Sequence, residues 1–165
     1  MKNKGKLAAL AGAFVALGVV LPGAAQAATG NNLNVPFADQ YSHLPRTIVA
    51  GDCRETGLNQ EPDLAHSYIR LLPPNATGNS EYIWKSTVYT VKSTTGDVWH
   101  ATFVFKTAAG TPVLTVKADG PRMAPGWVRK KLGLPFYYDE TRGGTVNITQ
   151  AQYNSIALVD WSGDC

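Results

Sequence analysis

Hydrophobic and polar positions alternate most regularly in the middle of this chain. Three runs rich in β-branched and aromatic residues predict strands over Glu81–Ser93, Val98–Thr107 and Thr111–Ala118. Short turns that contain Gly96 and Gly110 separate these runs, and glycine readily adopts the positive φ that tight hairpins require. The pattern therefore predicts an antiparallel meander.

Two segments before the meander carry weaker patterns. Thr47–Cys53 predicts a first strand, because Ile48 and Val49 are β-branched and a glycine with an aspartate follows them. Pro62–Leu72 fits two elements, since Pro62 suits the first turn of a helix while the alternation at the end of the segment suits a strand. The sequence leaves both interpretations of that segment open.

The pattern changes after the meander. Pro125–Leu132 predicts one or two helical turns that end at a glycine. Two further strands are predicted at Phe136–Tyr138 and Thr145–Thr149, on either side of a glycine-containing turn. A last strand is predicted at Ile156–Trp161, and Gln150–Ser155 leads into it as a helical turn or a loop.

These elements amount to roughly six to eight short strands with little helix. Neither an internal repeat nor a low-complexity linker divides them. The predicted fold class is mostly β, a single-domain antiparallel β-sandwich or small barrel with at most one or two short helices.

The N-terminus has the pattern of a secretory signal peptide. Three lysines precede an uncharged run, Leu7–Leu21, of about 15 residues, which is shorter than a bilayer span. A small-x-small triplet places the cleavage after Ala27. We therefore expect residues 1–27 to be removed, residues 28–45 to form an extended N-terminal arm, and residues 46–165 to form the β-rich domain.

Composition and charge narrow the class of partner. Of the 165 residues, 44% are apolar and 16% are charged, which excludes a disordered or a collagen-like chain. Three of the fifteen basic residues lie in the signal peptide, so the exported chain carries twelve basic and twelve acidic residues. A balanced chain has no overall field that attracts nucleic acid or anionic membranes. We expect a secreted, extracellular monomer with no nucleic-acid partner and no membrane partner.

Both cysteines, Cys53 and Cys165, lie in the exported part of the chain. An oxidising compartment and an even number of cysteines favour pairing. We predict one disulfide between them, and the chain-entropy argument gives it a stabilising contribution of about 4 to 5 kcal/mol.

Catalytic motifs are missing from the sequence. It has no glycine-serine elbow, no H-E-x-x-H, no P-loop and no dinucleotide fingerprint, so we expect neither a cofactor nor a metal. Asp63, His66 and Arg70 are weak catalytic candidates, because they share one face if the segment is helical and a carboxylate there can orient an imidazole. His100 is a further weak candidate. A secreted hydrolase that uses His66 or His100 with neighbouring acids is therefore an alternative function.

The segment from residue 122 to residue 142 combines basic and aromatic residues. Arginines and exposed aromatic side chains anchor interfaces and stack on ligands, so this segment is the predicted recognition surface. A solvated edge that covers a core tryptophan is the alternative interpretation. The leading hypothesis is a small secreted binding protein for an extracellular protein or polysaccharide, and an inhibitor or toxin is a further alternative. The predicted binding residues are Arg122, Trp127, Arg129, Lys130, Tyr137 and Arg142.

Overall fold

The structure, a computed structural model, describes residues 30–59, 64–91, 96–134 and 136–165. The predicted signal peptide lies outside these ranges. In chain order the described residues form ten strands and two helices: β1 (Gly30–Pro36), β2 (Tyr41–His43), β3 (Ile48–Ala50), β4 (Cys53–Glu55), β5 (Tyr68–Leu71), β6 (Asn79–Thr90), β7 (Asp97–Thr107), β8 (Pro112–Met123), α1 (Gly126–Leu132), β9 (Tyr138–Asn147), α2 (Gln150–Ser155) and β10 (Ile156–Asp164).

The strands form two antiparallel sheets. One has four strands in the order β1-β10-β7-β8, and the other has six, in the order β2-β5-β6-β4-β3 with β9 along the opposite edge of β6. β6 is 12 residues long, so β5 and β4 pair one after the other along its same edge. The two sheets pack as a β-sandwich, which confirms the predicted fold class, and the described strands form no closed barrel.

Alternation along β7 explains where the core lies. Trp99, Ala101, Phe103 and Phe105 are buried, while the alternate positions 100, 102 and 104 are more exposed. Trp84 from β6 and Trp161 from β10 pack around Phe103, with ring centroids 5.9 and 4.9 Å from its own. Aromatic side chains from both sheets therefore fill the space between them.

The prediction of a single meander is wrong, although all three of its strands are present. Only β7 and β8 pair as a hairpin, because β6 belongs to the six-stranded sheet. The chain crosses between the sheets after β6, so Trp84 and Trp99 approach each other from opposite sides of the core. β8 also continues to Met123, beyond its predicted end at Ala118.

The prediction of two strands around a turn at residues 136–149 is also wrong. Tyr138–Asn147 forms one continuous strand, β9, which pairs with β6 along its whole length. Gly144 lies inside this strand, where an added Cβ would be 2.7 Å from the Tyr82 hydroxyl oxygen. The glycine that indicated a turn instead makes room for the tyrosine ring.

Two other segments can be compared with their predictions: the first was predicted wrongly, and the second had been left open between a helix and a strand. Thr47–Cys53 is not one strand, because the chain reverses at Gly51, which has a φ of 54°, and so divides into β3 and the start of β4. Within Pro62–Leu72 the structure has a strand, β5, although residues 60–63 lie outside the described ranges. The predicted helical turns before Gly133 are present as α1, and Gln150–Ser155, for which the sequence left a helical turn or a loop open, forms the helix α2.

The segment expected to form an extended arm contributes edge strands to both sheets. From residue 30 onward it forms β1, which pairs with β10, and β2, which pairs with β5. The backbone of Asn34 has a positive φ of 56° at an irregularity in the β1–β10 register. Its backbone N–H donates to Asp160 Oδ1 at 2.8 Å, which ties this irregular point to β10.

The predicted disulfide between Cys53 and Cys165 is confirmed. It joins β4 of the six-stranded sheet to the residue that follows β10 of the four-stranded sheet, across 112 positions of sequence. Cys53 is fully buried, so the bond is a covalent link within the core.

The indole of Trp99 packs directly against the backbone of β10. A Cβ added at Gly163 would lie 2.1 Å from Cζ2 of this indole, far inside van der Waals contact. Gly120 in β8 is also close, because a Cβ there would lie 3.2 Å from the Trp99 Cβ. The two glycines therefore leave the space that Trp99 occupies.

We expect Gly163→Ala to lower the free energy of unfolding by at least about 1 to 3 kcal/mol, because the added methyl group overpacks the core. Urea unfolding followed by tryptophan fluorescence measures the change. The neighbouring Ser162→Ala is the control and should change stability by less than about 1 kcal/mol, since its side chain is only half-buried. Equal stability of Gly163→Ala and the wild type would contradict this packing.

Candidate functional site

α1 occupies the connection that carries the chain from one sheet to the other. β8 of the four-stranded sheet ends at Met123, and β9 of the six-stranded sheet begins at Tyr138. The helix ends at Gly133, whose φ of 63° is the left-handed conformation that glycine favours. The backbone N–H of Ala124 donates to the Tyr138 hydroxyl at 3.1 Å, which holds the start of the helix against β9.

The helix and the loop after it present a mixed apolar and basic surface. Trp127 and Leu132 are 61% and 64% exposed despite their size and hydrophobicity. Trp127, Lys130 and Lys131 have the i, i+3, i+4 spacing that places side chains on one helix face. We define the α1 surface as the exposed residues Val91, Arg122, Trp127, Lys130, Lys131, Leu132, Leu134 and Phe136.

A shallow groove joins the helix to the end of β6. It has a volume of about 460 Å³, and its lining includes Val91, Lys130, Leu134 and Phe136. The groove therefore brings exposed apolar side chains from the end of β6 and from the loop after α1 together beside the helix.

Arg129 supports the α1 surface from below. Although it is an arginine, it is only 7% exposed. Its Nη2 donates to the carbonyl of Thr90 at 2.7 Å, and its Nη1 donates to the carbonyl of Phe136 at 3.2 Å. Its guanidinium also lies 4.8 Å from the centroid of the Phe136 ring. One buried cation thus connects the helix, the end of β6 and the loop before β9.

Three aromatic rings form the base of the loop after α1. The ring centroids of Tyr89, Phe136 and Tyr137 lie 4.8 to 5.0 Å from one another. Such edge and tilted contacts are favourable beyond the area they bury. Tyr137 is half-buried in this cluster, so it supports the exposed ring of Phe136 more than it presents a face of its own.

Most of the predicted binding residues come together at this surface. Trp127 and Lys130 are exposed on it, Arg122 borders the start of the helix, and Arg129 and Tyr137 lie beneath it. Arg142 is the exception.

Arg142 lies apart from the other predicted binding residues. It is four positions along β9 from Tyr138, a distance of about 13 Å at the usual strand rise. Its Nη1 forms an ion pair with Glu140 Oε1 at 2.9 Å. Arg142 therefore belongs to the edge of the six-stranded sheet rather than to the α1 surface.

The sequence analysis did not select the exposed aliphatic residues of this surface. Apolar residues in a β-rich chain are usually buried, so their hydrophobicity gives no sign that Val91, Leu132 and Leu134 are exposed. The sequence does carry one indication, because no acidic residue occurs between Gly120 and Tyr138. A basic segment that also contains this many apolar residues is unusual for a solvated edge.

The weak catalytic candidates are not assembled into one site among the described residues. Asp63 lies outside those ranges, and Arg70 lies over the ring of Tyr41 at 5.2 Å, with its Nη2 donating to Gln40 at 3.1 Å. His66 precedes β5 of the six-stranded sheet, whereas His100 is on β7 of the other sheet.

His100 does have an acidic neighbour. Its Nδ1 lies 2.7 Å from Asp119 Oδ1 on the adjacent strand β8, and both side chains are more than half exposed. Within the described ranges, neither His66 nor His100 is hydrogen-bonded to a hydroxyl or thiol group that would serve as a nucleophile.

Potential metal ligands cluster at one point in the described structure. Cys53, Asp97 and Cys165 bring their ligand atoms within 4.8 Å of one another. Both sulfur atoms are used in the disulfide, so this cluster offers no thiolate to a metal.

Glu55 is the acid that sequence analysis missed. It is fully buried, and its Oε1 and Oε2 accept hydrogen bonds from Nε1 of Trp84 at 3.1 Å and Nε1 of Trp99 at 2.9 Å. Burial raises the pKa of Glu55 from 4.5 to about 7, while hydrogen bonding to Ser67 and to the indoles of Trp84 and Trp99 lowers it. Because the group has no access to solvent, we assign it a structural role.

Comparison with known proteins gives no relative: no family model matches the sequence, and neither a curated protein nor a solved structure is detectably similar to it. Neither of the described helices is long and apolar enough to cross a membrane. Function therefore has to be argued from the surface itself.

The buried carboxyl predicts an unusual pH dependence of stability. The pKa of Glu55 is about 7 in the folded state and ordinarily 4.5, so the folded state binds the proton more tightly. The protonated Glu55 carboxyl therefore contributes to the free energy of unfolding, on the order of 3 kcal/mol. This contribution is complete below pH 4.5 and is lost as the pH rises through 7. Urea unfolding at pH 5 and pH 8 measures it.

Glu55→Gln should remove this difference between pH 5 and pH 8, because glutamine does not titrate. Glu140→Gln, at a carboxyl that is 28% exposed and paired with Arg142, is the control and should keep the difference. A Glu55→Gln protein with the same pH dependence as the wild type would refute the assignment.

Arg129→Met should loosen α1 without unfolding the sandwich, because it removes the donor to two backbone carbonyls. Hydrogen exchange of amides in residues 126–138 should become about tenfold faster, since opening this segment then costs less free energy. Lys130→Met, on the exposed side of the same helix, is the control. Unchanged exchange in Arg129→Met would show that the guanidinium does not hold the helix.

Proposed function

We propose that this chain is a small secreted binding protein that docks on an extracellular target through the α1 surface. The observation that supports it is the exposure of five large apolar side chains next to exposed cations on one helix, the loop after it and the end of β6. Monomeric soluble proteins rarely expose such contiguous apolar patches, which usually serve interactions. No cofactor is required for this role.

The chemistry of the α1 surface favours a target with an apolar surface over a polysaccharide chain. Sugar rings are recognised by flat aromatic faces combined with hydrogen-bonding side chains. Three of the five apolar side chains here, Val91, Leu132 and Leu134, are aliphatic. They bury well against other apolar groups but offer a sugar ring neither a flat face nor a hydrogen bond.

The support of the surface also agrees with a binding role. Arg129 and the aromatic base hold Phe136 and the helix in fixed positions. A preorganised surface loses less conformational entropy when it binds. An inhibitor or a toxin would use the same surface, and the two are distinguished by what happens to the target after docking.

The test compares retention of the oxidised exported chain on three kinds of target: purified extracellular proteins, insoluble polysaccharides and lipid vesicles. We expect the wild type to be retained by one kind, and Trp127→Ala/Leu132→Ser to lose about tenfold or more in affinity, since buried aromatic anchors dominate binding energy.

The control variant is Leu33→Ser/Val49→Ser, because these two side chains are 61% and 53% exposed outside the α1 surface. This variant should bind like the wild type. The proposed function would be contradicted if both double variants lost retention equally, or if both were retained as well as the wild type. So would the absence of retention on every kind of target.

A further inference from the structure

We infer that the target of the α1 surface is an anionic lipid surface, on which α1 lies as an interfacial anchor. This inference rests on the proposed function, since it names the partner of the same surface. It also departs from the expectation of no membrane partner, which was based on the overall charge of the exported chain.

Local charge is the first argument. Although the exported chain is balanced overall, the stretch from Gly120 to Tyr138 contains four basic residues and no acidic one. Arg129 is buried, which leaves Arg122, Lys130 and Lys131 exposed around the helix. An anionic surface attracts such a cluster even when the net charge of the protein is zero.

The nearest acidic residues along the neighbouring strands do not remove this local excess. Asp139 follows Tyr138 in β9, and its Oδ1 accepts a hydrogen bond from the Thr87 hydroxyl at 2.6 Å. Asp97 lies opposite Met123 in the β7–β8 register, between the level of Arg122 and the start of the helix. Within the described parts of these strands, the three exposed cations around α1 therefore outnumber these two carboxylates, and a local excess of positive charge is left.

The arrangement of side chains on α1 is the second argument. Trp127, Lys130 and Lys131 share the outer face of the helix, opposite the buried Arg129. Leu132 is exposed at the end of the helix. Tryptophan and leucine beside lysines is the composition of helices that lie at the boundary between headgroups and acyl chains. The lysine ammonium groups stay among the headgroups while their stems lie along the apolar layer.

The same composition argues against a protein partner as the first choice. Lysine is depleted at protein–protein interfaces, whereas the α1 surface has two lysines at its centre. Leu132 and Trp127 stand out from the surface, being 64% and 61% exposed, so they can enter a soft apolar layer without a matching pocket. A protein partner is therefore an outcome of the test rather than the proposal.

The structure supplies its own reporter for this experiment. Trp84, Trp99 and Trp161 are fully buried, and Trp127 is the exposed member of the four tryptophans. Acrylamide, a small neutral quencher, should therefore act mainly on Trp127 in the free protein. Loss of that quenching on binding indicates that the Trp127 ring has left water.

The experiment mixes the exported chain with vesicles of phosphatidylcholine alone or with an equal part of phosphatidylglycerol. We expect about tenfold or more tighter binding to the anionic vesicles at low salt, weakening as salt is added, because the attraction is screened. Acrylamide quenching should fall on binding. Leu132→Ser should weaken binding, and Lys130→Gln/Lys131→Gln should remove the preference for anionic vesicles.

Two matched controls separate the α1 surface from general effects. Leu33→Ser replaces an equally exposed leucine elsewhere, and Arg46→Gln/Lys117→Gln removes two exposed cations outside the surface. Both should bind like the wild type. Equal binding to the two vesicle types, or equal loss in Leu132→Ser and Leu33→Ser, would overturn the inference.

Failure of this inference is distinguishable from failure of the proposed function. If the α1 variants lose retention on a purified protein while no variant or wild type binds vesicles, the proposed function stands and the lipid inference is wrong. If the wild type is retained by no target of any kind, both are wrong.

Discussion

The sandwich is organised around one buried carboxyl group. Glu55, on a strand of the six-stranded sheet, accepts hydrogen bonds from Trp84 of its own sheet and Trp99 of the opposite sheet. Burying a carboxyl is unfavourable unless its oxygens are satisfied, so the two indoles have to stay in place around it. The Cys53–Cys165 disulfide, two positions away on the same strand, fixes this strand to the end of the other sheet.

This central contact has a consequence for the surface. α1 lies in the crossover from β8 to β9, which belong to different sheets. The position of the helix therefore depends on how the sheets are held together. Arg129 completes the link, because it connects α1 to Thr90 at the end of β6 and to Phe136 before β9. The core thus positions the α1 surface through β6, β8 and β9.

Much of the fold is readable from the sequence, because strand alternation and cysteine pairing are local or nearly unique signals. The strand containing Trp99 and the disulfide are examples. Local sequence does not determine which sheet a strand joins, because the pairing of β6 away from β7 depends on the tertiary core. Nor does it distinguish Gly144, which lies inside β9, from a glycine in a turn. The burial of Glu55 could not be predicted, because a glutamate in a polar stretch normally faces water. The exposure of Leu132 could not be predicted either, because a leucine is normally buried.

The most direct test of this account observes the indole N–H groups by NMR. The Nε1–H signals of Trp84 and Trp99 should exchange with solvent far more slowly than that of free tryptophan, and their chemical shifts should titrate together with a midpoint near 7, the pKa of Glu55. If the two signals exchange as fast as that of free tryptophan, or do not shift between pH 5 and pH 8, then Glu55 does not join the sheets.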